Sequence, residues 1–171
     1  MIQLKTNPAS ASPSLSLERA GDAVLADALI DRAFGPGRFT KVSERVREFA
    51  TFAPELSFCA WRGDRLVGVV RQWRVRADKT PVVFLGPIAV EADERSSGVG
   101  GLLVRAACDA ARTSGACAVV LVGDEPYFGK FGFSVERARG VGMPAPVDPK
   151  RVLAVAFTPQ GETLSGPLQA L

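Results

Sequence analysis

The 171-residue sequence contains no histidine, so the commonest general base and the commonest zinc ligand are both missing from its chemistry. It has three cysteines, which lie inside apolar patterns without the spacing of metal ligands: Cys59, Cys108 and Cys117. We therefore expect buried structural thiols and no metal site. Tyr127 is the single tyrosine, which leaves one phenol for any proton transfer.

Long apolar runs and strong charge are also missing. No window is long enough to cross a bilayer, and residues 1–13 lack the hydrophobic core of a signal peptide, which predicts a cytoplasmic protein. The formal net charge of +3 suits an anionic cofactor and is too weak to indicate nucleic acid. With 47% hydrophobic and 23% charged residues, we expect one domain over residues 14–171, after a disordered lead-in over residues 1–13.

Hydrophobic periodicity predicts both strands and helices in the first half of the chain. A strand at residues 14–18 precedes a helix that runs from Asp22 to the stop signal at residues 35–37. The predicted apolar face of this helix consists of Val24, Leu25, Ala28, Leu29, Ala33 and Phe34. An amphipathic helix over residues 42–50 follows. Strands at residues 56–61 and 66–76 are then joined as a hairpin by a Gly-Asp turn.

Residues 82–105 form the stretch around which the rest of the chain is organised. Residues 82–85 are typical of a buried strand, which resumes at residues 88–90. Because proline has no backbone N–H for a neighbouring strand, Gly86 and Pro87 predict a bulge or a splayed edge. A helix over residues 102–110 and a parallel strand over residues 116–122 should follow. The bulge would part the two parallel strands and leave the backbone groups of Ile88 and Val90 free to pair with an extended ligand that contains amide groups.

The loop at residues 95–100 has the composition of a phosphate-binding helix start. The N-terminal N–H groups of a helix attract phosphate oxygens, and Gly98 and Gly100 have no Cβ to hold a diphosphate away. Arg95 can pair with phosphate charge, and Ser96 or Ser97 can cap the helix or donate a hydroxyl. The leucines at positions 102 and 103 exclude a Walker loop and a dinucleotide fingerprint.

The last third of the chain carries weaker patterns. Asp124 suits the N-cap of a short helix, which Gly129 and Gly132 interrupt. Residues 131–136 and 151–157 are predicted to form a last antiparallel pair of strands. Residues 158–171 are expected to be a loosely packed tail.

Two motifs, in order along the chain, resemble the GNAT superfamily of acyl-CoA-dependent N-acetyltransferases. They are the Arg-x-x-Gly-x-Gly loop of residues 95–100, after a strand that ends Ile-Ala-Val, and the aromatic-turn-Gly-Phe segment of residues 127–133. The resemblance implies an α/β (α+β) fold with a central, largely antiparallel mixed sheet, one splayed parallel strand pair and flanking helices. It also implies acetyl-CoA as cosubstrate, no metal, and a set of cofactor-binding residues: Ile88, Ala89, Val90, Arg95, Ser96, Ser97, Gly98, Val99, Gly100 and Phe128.

By the same resemblance, a primary amine of a small molecule or a peptide attacks the acetyl thioester directly. Such a reaction needs an oxyanion donor, for which the backbone N–H of Ile88 is the candidate, and an acid for the departing thiolate. Many family members have a tyrosine where this chain has Phe128. Tyr127, one residue earlier, is therefore either the general acid or a packing or cofactor contact.

The sequence does not identify a general base. Glu55, Glu91 and Asp124 lie near the ends of predicted elements, but each suits a turn or a cap better than a base. The missing tyrosine at position 128 and the absence of histidine leave a second hypothesis open, a non-catalytic acyl-CoA-binding or regulatory module. In either case we expect a monomer or a homodimer.

Overall fold

The computed structural model describes residues 12–171, so residues 1–11 of the predicted lead-in lie outside the described part. Within it, no helix combines the length and the apolar character that crossing a membrane requires. The strands are β1 (Ser14–Leu17), β2 (Thr51–Phe52), β3 (Phe58–Arg62), β4 (Arg65–Ala77), β5 (Thr80–Val90), β6 (Ala118–Val122), β7 (Gly140–Gly142), β8 (Val152–Ala156) and β9 (Ser165–Ala170). The helices are α1 (Ala23–Phe34), α2 (Val42–Arg47), α3 (Val99–Thr113), α4 (Glu125–Phe128), α5 (Val135–Ala138) and α6 (Pro159–Glu162).

The main sheet runs in the order β1-β3-β4-β5-β6-β8. Neighbours in this order are antiparallel, except that β5 and β6 are parallel. Successive residues of β4 point to opposite faces, so α1 packs with Val69 on one face and α3 packs with Val70 on the other. The predicted mixed fold is therefore confirmed. A further parallel contact, between β7 and β9, was not predicted.

The predicted splay lies at Gly86 and Pro87. Val70 of β4 pairs with Ile88 and Gln72 pairs with Leu85, so two residues of β5 face one residue of β4. The parallel ladder between β5 and β6 contains only the positions of residues 83 and 84 and ends before the bulge. Since β6 stays paired with β8 up to Val122, it is β5 that leaves the ladder. The indole N–H of Trp73 donates to the Gly86 carbonyl at 2.7 Å and holds the bulge.

Helix α3 begins directly above β4 because residue 68 is a glycine. A Cβ on Gly68 would lie 2.8 Å from Leu103 Cδ1 and 2.8 Å from Val99 Cγ1, which is closer than such atoms can approach. Gly68 also pairs with Val90, the last residue of β5. The start of the helix is therefore fixed against the end of the central strand.

The predicted buried face of α1 is wrong in part. Leu29 is buried, but Val24 and Leu25 are 78% and 50% exposed, and the helix buries Ala26 and Ile30 instead. Nine of the twelve residues of this helix are apolar, so the sequence leaves more than one buried face possible. Contact with the sheet selects among them.

The predicted strand at residues 131–136 is also wrong. Only one bridge joins Ser134 to Ala154, and α5 begins directly after it. The Ser134 hydroxyl accepts a hydrogen bond from the Arg137 N–H at 3.3 Å, which is the N-cap arrangement of a helix. The partner of β8 is β6 instead.

The predicted loose tail is in fact part of the sheet. Strand β9 pairs with β4 at Val75, Arg76 and Ala77, and Leu164 and Leu168 are buried. The reason lies in the length of β4, whose 13 residues extend well beyond the end of β3 pairing. Strand β2 pairs with Trp73 and Arg74, and the C-terminal segment satisfies the backbone groups of the last three residues of β4.

Candidate active site

Two adjoining cavities open where β5 parts from β6. We call the larger, of about 490 Å³, the splay cavity, since it lies between Gly86 and Pro87 on β5 and Leu121 and Val122 on β6. The smaller, of about 240 Å³, is the loop cavity, lined by Ala33, Phe34, Ile88, Ala89, Val90, Arg95, Gly100 and Tyr127. Phe34 and Ile88 line both cavities, so the two are adjacent and meet at these residues.

The edge of β5 between the cavities has free backbone groups. The Glu91 N–H donates to the Val67 carbonyl of β4 at 2.9 Å. Backbone groups of an antiparallel ladder alternate in direction, so Ala89 faces β4 in the same way, while Ile88 and Val90 face the opposite side. On that side β6 has already diverged. The N–H of Ile88 is thus directed into the open space, as an oxyanion donor or an extra strand would require.

The loop before α3 is fastened to the hairpin turn between β3 and β4. Arg62 binds Glu94 through two hydrogen bonds of 2.6 and 2.9 Å, and Arg65 binds Asp93 through two of 2.9 Å. The hydrogen bond from Arg62 lowers the pKa of Glu94, and that from Arg65 lowers the pKa of Asp93. No local pattern indicates these pairs, because their members are far apart along the chain.

Of the two roles considered for Ser96 or Ser97, capping the helix or donating a hydroxyl, the capping role is wrong. Gly98 is the N-cap of α3, with φ at 89°, and no side chain caps the helix. The Ser97 hydroxyl donates instead to the Glu94 carbonyl at 2.6 Å, and Ser96 adopts φ of 73° in the tight turn. The N-cap residue of α3 therefore provides no side-chain acceptor for the first-turn N–H groups of this helix.

Tyr127 lies on the side of the loop cavity, which it lines. A Cβ on Gly100 would be 2.9 Å from the Tyr127 hydroxyl, so the glycine leaves room for the phenol above the helix start. The ring packs edge-on against Phe128 at 4.9 Å and Phe131 at 5.7 Å between centroids. Burial raises the pKa of Tyr127, so the phenol is neutral at pH 7.

Two cations near Tyr127 were not predicted as site residues. Lys130 Nζ lies 4.6 Å from the Tyr127 ring centroid, and the Arg105 guanidinium lies 5.0 Å from that of Phe131. Together with Arg95 they surround the helix start, and none of the three forms an ion pair with a carboxylate within residues 12–171. The loop cavity therefore has unneutralised positive charge around it.

Phe128 points into the splay cavity instead. Its ring is 9% exposed and rests on Gly123, where a Cβ would lie only 2.4 Å from the ring. It also packs against Phe133 at 5.9 Å between centroids. The two adjacent aromatic residues thus line different cavities. Phe128 lines the splay cavity and Tyr127 lines the loop cavity.

Of the three carboxylates considered from the sequence, only Asp124 lines the splay cavity. It is the N-cap residue of α4, as predicted, but its side chain makes no capping hydrogen bond and lies 3.3 Å from Arg151 Nε. Glu55 pairs with Arg74, and Glu91 pairs with Arg32. Among the described residues, no three acidic or cysteine side chains converge as metal ligands do.

The cysteines lie away from this chemistry. Cys59 and Cys108 are buried, and burial raises the pKa of each thiol to about 12. Both are neutral thiols at pH 7 and cannot act as nucleophiles. Cys117 is only half-buried, so the expectation of burial is wrong for this residue.

Solved structures with the same fold include several acetyltransferases. The GNAT family N-acetyltransferase YhbS of Escherichia coli, solved with CoA, has 23% identity and a TM-score of 0.75 over 91% of this chain and 88% of its own. A GNAT family acetyltransferase of Brucella melitensis, solved with acetyl-CoA, has 23% identity and a TM-score of 0.68 over 92% and 95%. Naa50 of Arabidopsis thaliana, solved with the bisubstrate analogue CoA-Ac-MVNAL, has 18% identity and a TM-score of 0.60 over 86% and 100%.

Sequence comparison gives a more direct assignment. No curated protein matches this chain significantly. The model of the acetyltransferase (GNAT) family, however, matches residues 25–133, which is more than half of the chain and includes both motifs and the strand between the two cavities. This chain therefore belongs to the acetyltransferase (GNAT) family.

Proposed function

We propose that this protein transfers an acetyl group from acetyl-CoA to a primary amine of a small molecule or a peptide. The observation that carries the proposal is the meeting at Ile88 of the cation-flanked loop cavity, the free edge of β5 and the splay cavity. The relatives from E. coli and Brucella melitensis support it, because their structures hold CoA and acetyl-CoA.

In this proposal the cofactor follows the same three features. Its diphosphate binds the first-turn N–H groups of α3 around residues 96–100, where the two glycines permit close approach and Arg95 supplies charge. The pantetheine amides pair with Ile88 and Val90 at the free edge of β5. The thioester then lies at Ile88, beside Phe128, and opens into the splay cavity.

The reaction is a direct transfer. The nitrogen lone pair of the acceptor attacks the thioester carbonyl carbon, the carbon–sulfur bond breaks, and CoA leaves as a thiolate that takes up one proton while the new amide nitrogen releases one. The N–H of Ile88 stabilises the negative charge that develops on the carbonyl oxygen. Tyr127 is either the acid that protonates the thiolate or a contact of the cofactor, and no side chain is proposed as base.

One observation favours a second candidate, a non-catalytic acyl-CoA-binding module. Phe128 stands at the wall of the splay cavity, where it has no proton to give. The two candidates differ in turnover and not in binding. An enzyme releases free CoA thiol when acetyl-CoA is incubated with an amine, whereas a module binds CoA tightly and releases none.

The deciding experiment measures thiol release from acetyl-CoA with polyamines, aminoglycosides, amino acids and peptides, together with CoA binding by calorimetry. Acceptor-dependent release, identified as an N-acetyl product by mass spectrometry, supports the enzyme. CoA binding with no release for any acceptor supports the module. No CoA binding at all would contradict both.

A further inference from the structure

The walls of the splay cavity carry an uneven distribution of charge. Among residues 12–171, four cationic side chains line it, namely Arg38, Lys41, Arg47 and Arg151, and Asp124 is the single lining carboxylate. Within the described chain, Asp124 is 3.3 Å from Arg151, so these two offset each other on one wall. The opposite wall, which consists of α2 and the turn before it, holds the other three cations.

Neighbouring carboxylates fix two of these cations in place. Arg38 binds Asp31 and Glu44, each at 3.0 Å, and Arg47 binds Glu44 at 2.5 Å. Both arginine side chains are largely buried, with exposures of 18% and 10%. Three cations and two carboxylates thus leave one positive charge uncompensated on this wall.

Lys41 carries that remaining charge. It pairs with no carboxylate among residues 12–171, and its ammonium lies 5.5 Å from the ring centroid of Phe34, which also lines the cavity. A second ammonium that entered this cavity alone would be repelled by Lys41. An acceptor that also carries a carboxylate would enter with its own charge balanced and would pair with Lys41.

Resting on the proposed function, we propose that the acceptor is a small amine that bears a carboxylate, which binds the Lys41 ammonium, and an apolar body. The apolar body fits the wall formed by Phe34, Val42 and Pro87. A cavity of about 490 Å³ has the size of a small-molecule site. The amine then faces Ile88, where the proposed thioester lies.

The test uses pairs of acceptors that differ only by the carboxylate. Suitable pairs are L-phenylalanine with 2-phenylethylamine, L-leucine with 3-methylbutylamine and L-lysine with cadaverine. Thiol release gives kcat/KM for each, expressed per free amine so that the different ammonium pKa values cancel. Calorimetry on the CoA-loaded protein gives the affinity of each member without any need for turnover.

Lys41→Gln removes the charge and keeps much of the side-chain length. In at least one pair we expect the acceptor with the carboxylate to have the higher kcat/KM. Lys41→Gln should reduce this preference about tenfold, because one charge-assisted contact is lost. The change should appear in KM, with kcat nearly unchanged. Lys41→Arg should retain most of the preference. The control Lys79→Gln alters an exposed lysine in the turn between β4 and β5 and should change nothing.

Equal or better use of the decarboxylated amines would overturn the inference and leave the proposed acetyltransferase intact. So would a preference for the carboxylate that survives Lys41→Gln. If CoA binds but no amine is acetylated, the proposed function fails and calorimetry decides the inference. The inference is supported if an acceptor with a carboxylate binds and Lys41→Gln weakens that binding. It is refuted if none of the acceptors with a carboxylate binds.

Discussion

The loop cavity and the splay cavity are neighbours, but they are made in different ways. Most of the loop cavity comes from one contiguous stretch, residues 88–100, with a strand end, a turn and a helix start. The splay cavity takes its walls from four separate parts of the chain, around residues 34–47, 85–88, 121–128 and 146–151. A motif can encode the first, because its geometry is local, whereas only the tertiary fold assembles the second.

The two cavities also differ in what holds them. Close approaches at glycines shape the loop cavity, because Gly100 leaves room for the Tyr127 hydroxyl and Gly68 lets the start of α3 lie against β4. Ion pairs and aromatic rings shape the splay cavity, through side chains that a few substitutions can alter. If CoA and the acceptor bind as proposed, the fold constrains the cofactor site in the loop cavity, and selectivity for the acceptor resides in the splay cavity.

The largest expected effect is a loss of CoA affinity caused by a change in the loop cavity alone. Gly100→Asp adds a carboxylate where the diphosphate is proposed to bind, and like charge at such close range should lower CoA affinity about a hundredfold or more. The fold should survive, because an acidic residue in the first turn of a helix is favourable and the half-exposed Tyr127 can turn aside. Calorimetry with CoA measures the effect.

The matched control is Gly21→Asp. It makes the same change of charge at a glycine whose Cβ would meet nothing within 4 Å. CoA affinity equal to that of the parent in the Gly100 variant would show that the cofactor binds elsewhere, and the distinction between the cavities would lose its basis.

The next effect tests how the fold constrains the loop cavity. Gly68→Ala places a Cβ 2.8 Å from Leu103 and Val99. The resulting strain should lower the free energy of unfolding by about 1–3 kcal/mol, which exceeds the roughly 0.5–1 kcal/mol that alanine gains over glycine in a strand. Urea denaturation measures it.

A double-mutant cycle identifies the cause. Leu103→Ala alone should cost about 2–5 kcal/mol through the cavity it leaves. Combined with Gly68→Ala, it should cost less than the sum, since the added methyl group enters the space that leucine vacates. Strictly additive costs would contradict the close approach of α3 to β4.

What the sequence revealed follows the same division between local and distant contacts. The Gly86-Pro87 bulge and the loop at residues 95–100 were predictable, because each depends on the properties of adjacent residues. Arg105 was missed, since it reaches the ring of Phe131 only after α3 and the segment after α4 have packed together. Lys130, by contrast, lies three residues after Tyr127, so its contact with that ring is local and could have been predicted from the spacing. Nothing local marks a residue as one that a distant ring will meet.

The wrong predictions have a common physical origin. The Gly- and Pro-containing sequence of β9 is typical of a poor strand former, yet β4 offers it unpaired backbone groups. Val24 and Leu25 are apolar, which predicts burial, yet both are largely exposed. In both cases the neighbours available after folding decided the outcome.

A smaller effect concerns the ion pairs that fasten the loop. Arg62 and Arg65 lower the pKa values of Glu94 and Asp93 below their ordinary 4.5 and 3.8. A lowered carboxylate pKa adds stability above the ordinary value, and this stability is lost as the pH falls through the lowered pKa. We therefore expect unfolding free energy and CoA affinity to decline below about pH 4.5.

Glu94→Gln separates this contribution from general acid unfolding. At pH 7 it should weaken CoA binding about two- to fivefold, because the loop loses one charged pair, and its own decline below pH 4.5 should be shallower. Glu136→Gln, on the exposed surface of α5, is the control. A Glu94 variant with the parent's pH profile would show that the loop does not depend on this pair.

The smallest expected effect is that of Tyr127→Phe, which sharpens the boundary between the cavities. The phenol hydroxyl lies at Gly100 on the loop side, so as a cofactor contact its loss should raise KM for acetyl-CoA and leave kcat within a few-fold. As the general acid, the same change would lower kcat by about ten- to ten-thousand-fold with little effect on CoA affinity. Phe128→Tyr is the matched change, because it adds a phenol to the wall of the splay cavity. If Phe128→Tyr raises kcat and Tyr127→Phe hardly changes it, proton transfer belongs to the splay cavity. If Tyr127→Phe severely lowers kcat and Phe128→Tyr does not raise it, proton transfer belongs to the loop cavity. The second result would contradict the separation of cofactor binding in the loop cavity from acetyl transfer in the splay cavity.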